Sequence, residues 1–275
     1  MFRSFRRLAL TGCALLGLSG MAQAATLIGL TSDGMLMRID TTTRQAMPKV
    51  RLQGVSSPLL GIDMRPADGK LYGVTTSGEI VTIDPASGRA TKVSQLSEAF
   101  ESGGRAVVDF NPVADRLRLM GSSGVNFRVN VENGQAVKDG TLKYQAGTPL
   151  AETMPRITAG AYTNSMAGAK ETMLLTIDGV LRQLNLQAPP NDGVQQVRGR
   201  IGEAVSAASA FDILGDGGTN TGFLLAGGTL YTLDLQSAAA TRLGPVAGSS
   251  EVIDIAASAA VAFSRSTSPA SRPFR

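Results

Sequence analysis

Histidine is absent from the 275 residues, tryptophan is absent too, and cysteine occurs once, at Cys13. Each absence closes off chemistry. Without imidazole there is no Ser-His-Asp hydrolysis and no His-held zinc, copper or iron. With a single thiol there is no internal disulfide, no Cys metal cluster and no Cys-x-x-Cys-His haem attachment. Quinoprotein-like propeller chemistry is disfavoured for the same lack of residues. Aromatic residues make up only 5% of the chain, too few to furnish the ring faces of a sugar-stacking cleft.

Charge is scarce where it would matter. The chain has 26 basic and 22 acidic residues, but the excess sits at its two ends. Arg3, Arg6 and Arg7 form a positive n-region, Leu8 to Met21 an apolar stretch, and Ala22-Gln23-Ala24 an A-x-A cleavage site. Together they read as a secretory signal peptide over 1–24 that takes Cys13 away with it, leaving no thiol for catalysis. The Arg6-Arg7 pair and Leu10-Thr11-Gly12-Cys13 match twin-arginine and lipoprotein signals poorly, so ordinary export to the periplasm or beyond is expected. Arg265, Arg272 and Arg275 lie in a Ser/Pro-rich stretch, 259–275, which reads as a disordered basic tail. Removing these six arginines from the count leaves 20 basic against 22 acidic residues, and no Lys/Arg stripe that would recruit nucleic acid. After the leader, no run approaches the ~20 apolar residues of a membrane span. A soluble monomer is expected.

What the chain does have is a repeat. A small or acidic residue, a glycine, five strand residues and then Asp or Asn recur at Asp33-Gly34 to Asp40, Ser77-Gly78 to Asp84, Ser123-Gly124 to Asn130, Asp178-Gly179 to Asn185 and Gly227-Gly228 to Asp234. Successive glycines are 44, 46, 55 and 49 residues apart, the period of a four-stranded β-propeller blade. Glycine supplies the positive φ of a tight hairpin, and Asp or Asn closes an Asx-turn at the far end. The fifth residue after glycine is always apolar (Ile39, Ile83, Val129, Leu184, Leu233) and should face a neighbouring sheet. The second is apolar in four copies, Leu36, Ile80, Leu181 and Leu230, but is Asn126 in the third.

Around each hairpin the turn formers mark four strands per unit, except in the first, which has three: Thr26 to Thr31, Met35 to Ile39 and Lys49 to Leu52. In the third unit the last strand falls somewhere in 135–144, and in the fourth the hairpin strand is expected over Val180 to Leu184. One strand is left over at the end, Glu251 to Ala256, and it resembles the first strands of complete units: Ile253-Asp254-Ile255 beside Gly61-Ile62-Asp63-Met64, Val108-Asp109-Phe110 and Phe211-Asp212-Ile213. The expectation is an all-β chain, a five-bladed propeller over 25–258, with four strands per blade and the last strand completing the first blade. Closure in this way leaves no open edge inside the ring. A β-sandwich is the alternative that the strict repeat disfavours.

Gly61-Ile62-Asp63-Met64-Arg65-Pro66-Ala67, Asp109-Phe110-Asn111-Pro112, Ala161-Tyr162-Thr163-Asn164 and Pro189-Pro190-Asn191-Asp192-Gly193, in this order, resemble the bacterial family known as domain of unknown function 4394. The resemblance spans nearly all of Thr26 to Ala256. It implies an exported, propeller-like protein and brings no activity or catalytic residue with it.

The candidate chemistry is a set of carboxylates at equivalent places, Asp63, Asp109, Asp212 and Asp254, with Ala161 at the matching place in the fourth unit. First strands of propeller blades surround the central channel. These groups are read first as hydrogen-bond acceptors tying blade to blade, from backbone or from Arg65 or Arg118. The alternative is a channel site for Ca²⁺, a cation or a polyol, with Arg65 and Asn111 as further ligand-binding candidates. The loops Gly215 to Asn220 and Pro189 to Gly193 read as connectors, the latter with a second reading as a loop presented to a partner. The function expected is an exported, non-catalytic propeller that binds a small ligand, ion, glycan or protein. The competing reading is a glycoside hydrolase or Ca²⁺-dependent lactonase working through two of the channel carboxylates.

Overall fold

The computed structural model describes residues 25–206 and 208–259; the expected signal peptide and nearly all of the expected basic tail lie outside them. Five mainly antiparallel sheets account for all the strands among the described residues. Blade one takes β1 (Ala25–Thr31), β2 (Met35–Asp40), β3 (Val50–Arg51) and, from the other end of the chain, β21 (Val252–Ala259), in the order β21-β1-β2-β3. Blade two is β4 (Leu59–Met64), β5 (Leu71–Thr75), β6 (Glu79–Ile83) and β7 (Ala90–Gln95). Blade three is β8 (Ala106–Asn111), β9 (Arg116–Gly121), β10 (Asn126–Val129) and β11 (Ala136–Lys138). Blade four holds β13 (Ile157–Tyr162), β14 (Leu174–Asp178), β15 (Gln183–Gln187) and β16 (Val194–Arg200), and blade five β17 (Ala210–Asp216), β18 (Thr219–Ala226), β19 (Thr229–Leu233) and β20 (Ala240–Pro245). The inner strands β21, β4, β8, β13 and β17 touch one another in that order around the ring.

The ring closes as the leftover strand requires. β21 lies antiparallel to β1 from Ala25↔Ala259 to Thr31↔Val252, with one irregularity beside Leu30. It runs three residues past the expected end at Ala256 and one residue into the stretch read as tail.

The repeat owes its shape to local hydrogen bonds. At Gly34, Gly78 and Gly124 the φ angles are 75°, 81° and 93°, which an L side chain resists, and each glycine N–H closes its turn on the carbonyl three residues back. Downstream, the carboxylates of Asp40, Asp84 and Asp234 and the Asn130 amide oxygen accept N–H groups two residues ahead, four of the five Asx-turns expected; Asn185 lies inside β15 and closes none.

Two expectations need correcting. The fourth hairpin strand begins at Gln183, not Val180, because the Asp178 carboxylate accepts the Val180 and Leu181 N–H groups and Arg182 turns at φ 55°, making a four-residue loop. Val180 is therefore 63% exposed, and Leu184, paired with Ile177, takes the place that Ile80 has in blade two. In the third unit, the stretch 135–144 divides between two blades. β11 stays with blade three, while the two-residue β12 (Lys143–Tyr144) runs parallel to β16, giving blade four a fifth strand.

Apolar clusters fill the seams between blades. Four of them hold ten to thirteen buried residues each, whereas the seam between blades three and four holds six: Val107, Met120, Leu142, Ile157, Tyr162 and Leu174. Polar side chains occupy the rest of that seam. Thr176 donates to Gln195 (2.6 Å), Gln195 to Gln187 (2.7 Å) and Gln187 to the Pro190 carbonyl (2.7 Å), all fully or nearly buried.

Candidate functional site

Each of the four aspartates sits on an inner strand, and the structure brings all four to the axis of the ring. Their carboxyl groups reach across the seams. Asp254 accepts the Ile62 N–H of blade two (2.8 Å), Asp63 the Phe110 N–H of blade three (2.7 Å), Asp109 the Tyr162 N–H of blade four (2.9 Å) and Asp212 the Ala257 N–H of blade one (2.5 Å). Four of five seams are latched this way. The exception is the seam between blades four and five, where buried Ala161 stands in the acceptor's place. Gly61 makes room for one latch, since a Cβ there would lie 2.5 Å from an Asp254 oxygen.

The latches crowd like groups together. Oxygens of Asp63, Asp109 and Asp212 all lie within 4.8 Å of one another, and these residues are 3%, 4% and 3% exposed. Burial pushes the carboxyl of Asp63 well above its ordinary range, helped by the neighbouring Asp212, and does the same to Asp109 with Asp63 and Asp212 as neighbours. Burial lifts Asp212 to about 7 and Asp254 to about 8, the latter opposed by the Ile62 N–H and by Arg105. Oxygens this close repel one another when both carboxyl groups are charged, which favours the protonated form of their neighbours. All four acids of the ring are thus shifted toward the neutral form.

One cation stands over it. Arg105, just before β8, stretches its guanidinium across the channel mouth from blade three, donating from Nη2 to the Ile253 carbonyl of blade one (2.5 Å) and the Ser209 carbonyl at the edge of blade five (3.4 Å). Its Nε is buried without a partner.

The other candidates do not join the ring. Arg65 ties blade two to blade three, but through Asp115 rather than a channel aspartate: Nε to Oδ1 at 2.8 Å and Nη2 to Oδ2 at 2.5 Å, with Asp68, Glu132 and the Tyr72 hydroxyl nearby. Arg118 is likewise engaged elsewhere, with Asp139 (2.7 Å), Asn126 (2.8 Å), the Tyr162 hydroxyl (3.1 Å) and Asn191 (2.9 Å). Asn111 caps its own turn, its amide oxygen accepting the Val113 and Ala114 N–H groups at 2.9 Å each. Gly215 to Asn220 is the tip of the β17–β18 hairpin. Pro189 to Gly193 forms a 3₁₀ turn that clasps blade three, since the Pro190 carbonyl accepts the Asn126 amide N–H (3.2 Å).

Sequence reasoning missed Arg105, Arg116 and Arg128, and gave Arg118 the channel aspartates as partners. A signal for the last three was present: Arg116 and Arg118 alternate with Leu117 and Leu119, and Asn126 and Arg128 follow the same period on the paired strand, Arg118 lying opposite Arg128. These polar positions share one face of an otherwise buried sheet. Asn126, the one polar residue at its place in the repeat, belongs to that face.

Fold and site together define a five-bladed β-propeller latched by carboxyl groups around its axis. The family described as domain of unknown function (DUF4394) matches residues 35–256, and the chain belongs to it. No curated protein matches the chain. Among solved structures, a protein of unknown function from Bacteroides thetaiotaomicron VPI-5482 is similar in fold, with a TM-score of 0.51 and 14% identity over 86% of this chain and 65% of that one. A protein of unknown function from Bacteroides caccae gives a TM-score of 0.40 with 12% identity over 81% and 73% of the two chains, and a chain of a nidogen/laminin complex 0.44 with 11% identity over 85% and 98%.

Proposed function

We propose that this protein is an exported, non-catalytic binding module whose ring of aspartates holds the propeller together. The observation that carries the reading is that every aspartate of the ring accepts an N–H from the next blade round. A glycosidase needs two carboxyl groups ~5–10 Å apart with the scissile bond between them and one of them ionised. Here oxygens of three carboxyl groups crowd within 4.8 Å, the residues are at most 4% exposed, and burial shifts each toward its neutral form, which leaves no space for a glycoside between them and disfavours the ionised partner.

The same geometry bears on a metal. Asp63, Asp109 and Asp212 would be the residues to hold a hard cation such as Ca²⁺, and oxygens 4.8 Å apart can flank an ion bound at ~2.4 Å. Both oxygens of Asp63 and both of Asp212 already accept backbone N–H groups, which leaves each one lone pair, and burial favours a proton there, so protons rather than a metal balance the ring in this reading. The test of the non-catalytic reading is a screen of the mature protein against glycosides and lactones, with Asp109→Asn beside the wild type. No turnover by either protein is expected. Turnover by the wild type that Asp109→Asn abolishes would replace this reading with the carboxylate hydrolase.

A further inference from the structure

Where the polar seam between blades three and four meets the surface, at the ends of the inner strands, there is a cavity of about 150 Å³. Arg116, Arg118, Arg128, Asn111, Asn191 and Tyr162 line it, and no carboxylate does. Its character follows from which lone pairs and which hydrogens are already used. The Asn111 amide oxygen is taken by two backbone N–H groups, so its NH₂ is what remains to offer. The Asn191 oxygen accepts from Arg118 Nη2, which leaves its NH₂ too. The Tyr162 oxygen accepts from Arg118 Nε and keeps its own hydrogen. Even the Pro190 carbonyl at the back of the cavity is occupied, by the Asn126 and Gln187 amides.

Positive charge is left over as well. Arg118, 2% exposed, and Arg128 share a single carboxylate, Asp139, at 2.7 Å each. The acid beside Arg116, Asp115, is engaged by both arms of Arg65, and Arg116 itself donates only from Nη1 to the Asp115 carbonyl. A lining whose side-chain acceptors are spent, whose donors converge and whose cations outnumber their partners recognises an anion.

We infer that this cavity is a binding site for an oxyanion group, a phosphate or carboxylate carried on a small molecule. The inference rests on the reading of the protein as a binding module and gives that reading a location and a ligand chemistry. The volume corresponds to roughly five waters at ~30 Å³ each, room for one such group and a short stem rather than for a nucleotide. Arg118 forms the rigid floor, because packing and Asp139 fix its geometry, and Asn191 is held beside it by the Arg118 guanidinium. Arg116 and Arg128 stand at the rim.

Calorimetric titration of the mature protein at low ionic strength tests this with three probes: inorganic phosphate, glycerol 3-phosphate and succinate, with chloride as the ionic-strength control. Saturable binding of at least one probe is expected, weakened about tenfold or more by Arg116→Gln and by Arg128→Gln, and untouched by Arg198→Gln on β16, which lines a separate pocket. Arg116 is exposed, so its variant should melt with the wild type even if loss of the Arg128 to Asp139 bridge loosens the other. Preference for the phosphate probes or for succinate identifies the anion, and either supports the inference. No binding of any probe at millimolar concentration, or binding that both rim variants retain in full, overturns it. That failure would leave the hydrolase screen, and hence the binding-module reading, unaffected.

Discussion

Ending the chain at Ser249 removes β21 and with it the inner strand of blade one. Val252 and Ile255 are 3% and 2% exposed and Ile253 is half-buried, so the lost apolar burial is about two and a half large side chains. At ~1.5–3 kcal/mol each this amounts to roughly 4–8 kcal/mol. The deletion also strips the β1 ladder from Ala25 to Thr31, the Asp254 latch on Ile62, the N–H that Ala257 offers Asp212, and the carbonyl that anchors Arg105. A domain is typically stable by ~5–15 kcal/mol, so the truncated chain should not stay folded at 25 °C. The assay is a thermal and urea melt of the mature protein followed by far-UV circular dichroism, beside a chain ended at Phe263 that keeps every contact described. The longer chain should melt like the full mature protein. A cooperative transition of the shorter chain within a few degrees of full length would refute the shared blade as the element that holds the ring closed.

Other expectations follow from the ring and its seams. Because Asp63, Asp109, Asp212 and Asp254 all have folded pKa values above the 3.8 of the free side chain, the folded state holds the extra protons. The stability they contribute is complete below about pH 4; for Asp212 and Asp254 it is lost as pH rises through about 7 and about 8, at ~1.4 kcal/mol per pH unit for each group titrating, and Asp63 and Asp109 add to the loss in the same direction. The melting temperature should therefore fall between pH 5 and pH 9, and Asp109→Asn, which keeps an acceptor for Tyr162 and removes one ionisable neighbour, should flatten that fall. Melts with EDTA and then with millimolar Ca²⁺ should coincide; a midpoint raised by Ca²⁺ and lost in Asp109→Asn would put a metal in the ring. Gly134→Ala should destabilise by about 2 kcal/mol or more in a urea melt, because φ is 75° there and the new Cβ would fall 1.8 Å from the Gln95 carbonyl oxygen of blade two. A variant as stable as wild type would contradict the described packing of that turn.

The blade count and the closing strand could be read from the chain because both rest on short-range rules. Glycine at positive φ, an Asx-turn six residues on and an apolar residue at a fixed place between them are local necessities, and five copies at near-constant spacing admit few arrangements. The carboxylate ring was legible as a set of equivalent residues, since each follows an apolar residue in a first strand. Its bonding was not. Which N–H each carboxylate meets depends on the stagger between sheets, and the expectation that Arg65 and Arg118 would partner the aspartates failed because other groups take up both guanidiniums: Asp115 that of Arg65, and Asp139, Asn126, Tyr162 and Asn191 that of Arg118, although Arg118 pairs with Asp109 across β8 and β9. The fourth hairpin misled for another reason: Asp178-Gly179 has the composition of the other turns, but Asp178 folds back on Val180 and Leu181 and delays the strand. Arg105 carried no signal in the sequence, since only the assembled ring gives an arginine ahead of β8 a carbonyl on the far side to reach.

The pairing of Ala25 with Ala259 also sets a clock. β1 emerges first and β21 last, about 220 residues later, so the inner edge of β1 waits for its partner until nearly the whole chain has been delivered to the place where it folds. All seven residues of β1 are buried in the finished protein, so throughout that interval the nascent chain presents an unpaired apolar strand that any other β21 could fill. Two chains made close together can each lend the other its final strand, and the result would be a pair of complete propellers joined at blade one. Dilution during refolding should then favour single rings, and crowding should favour exchanged pairs.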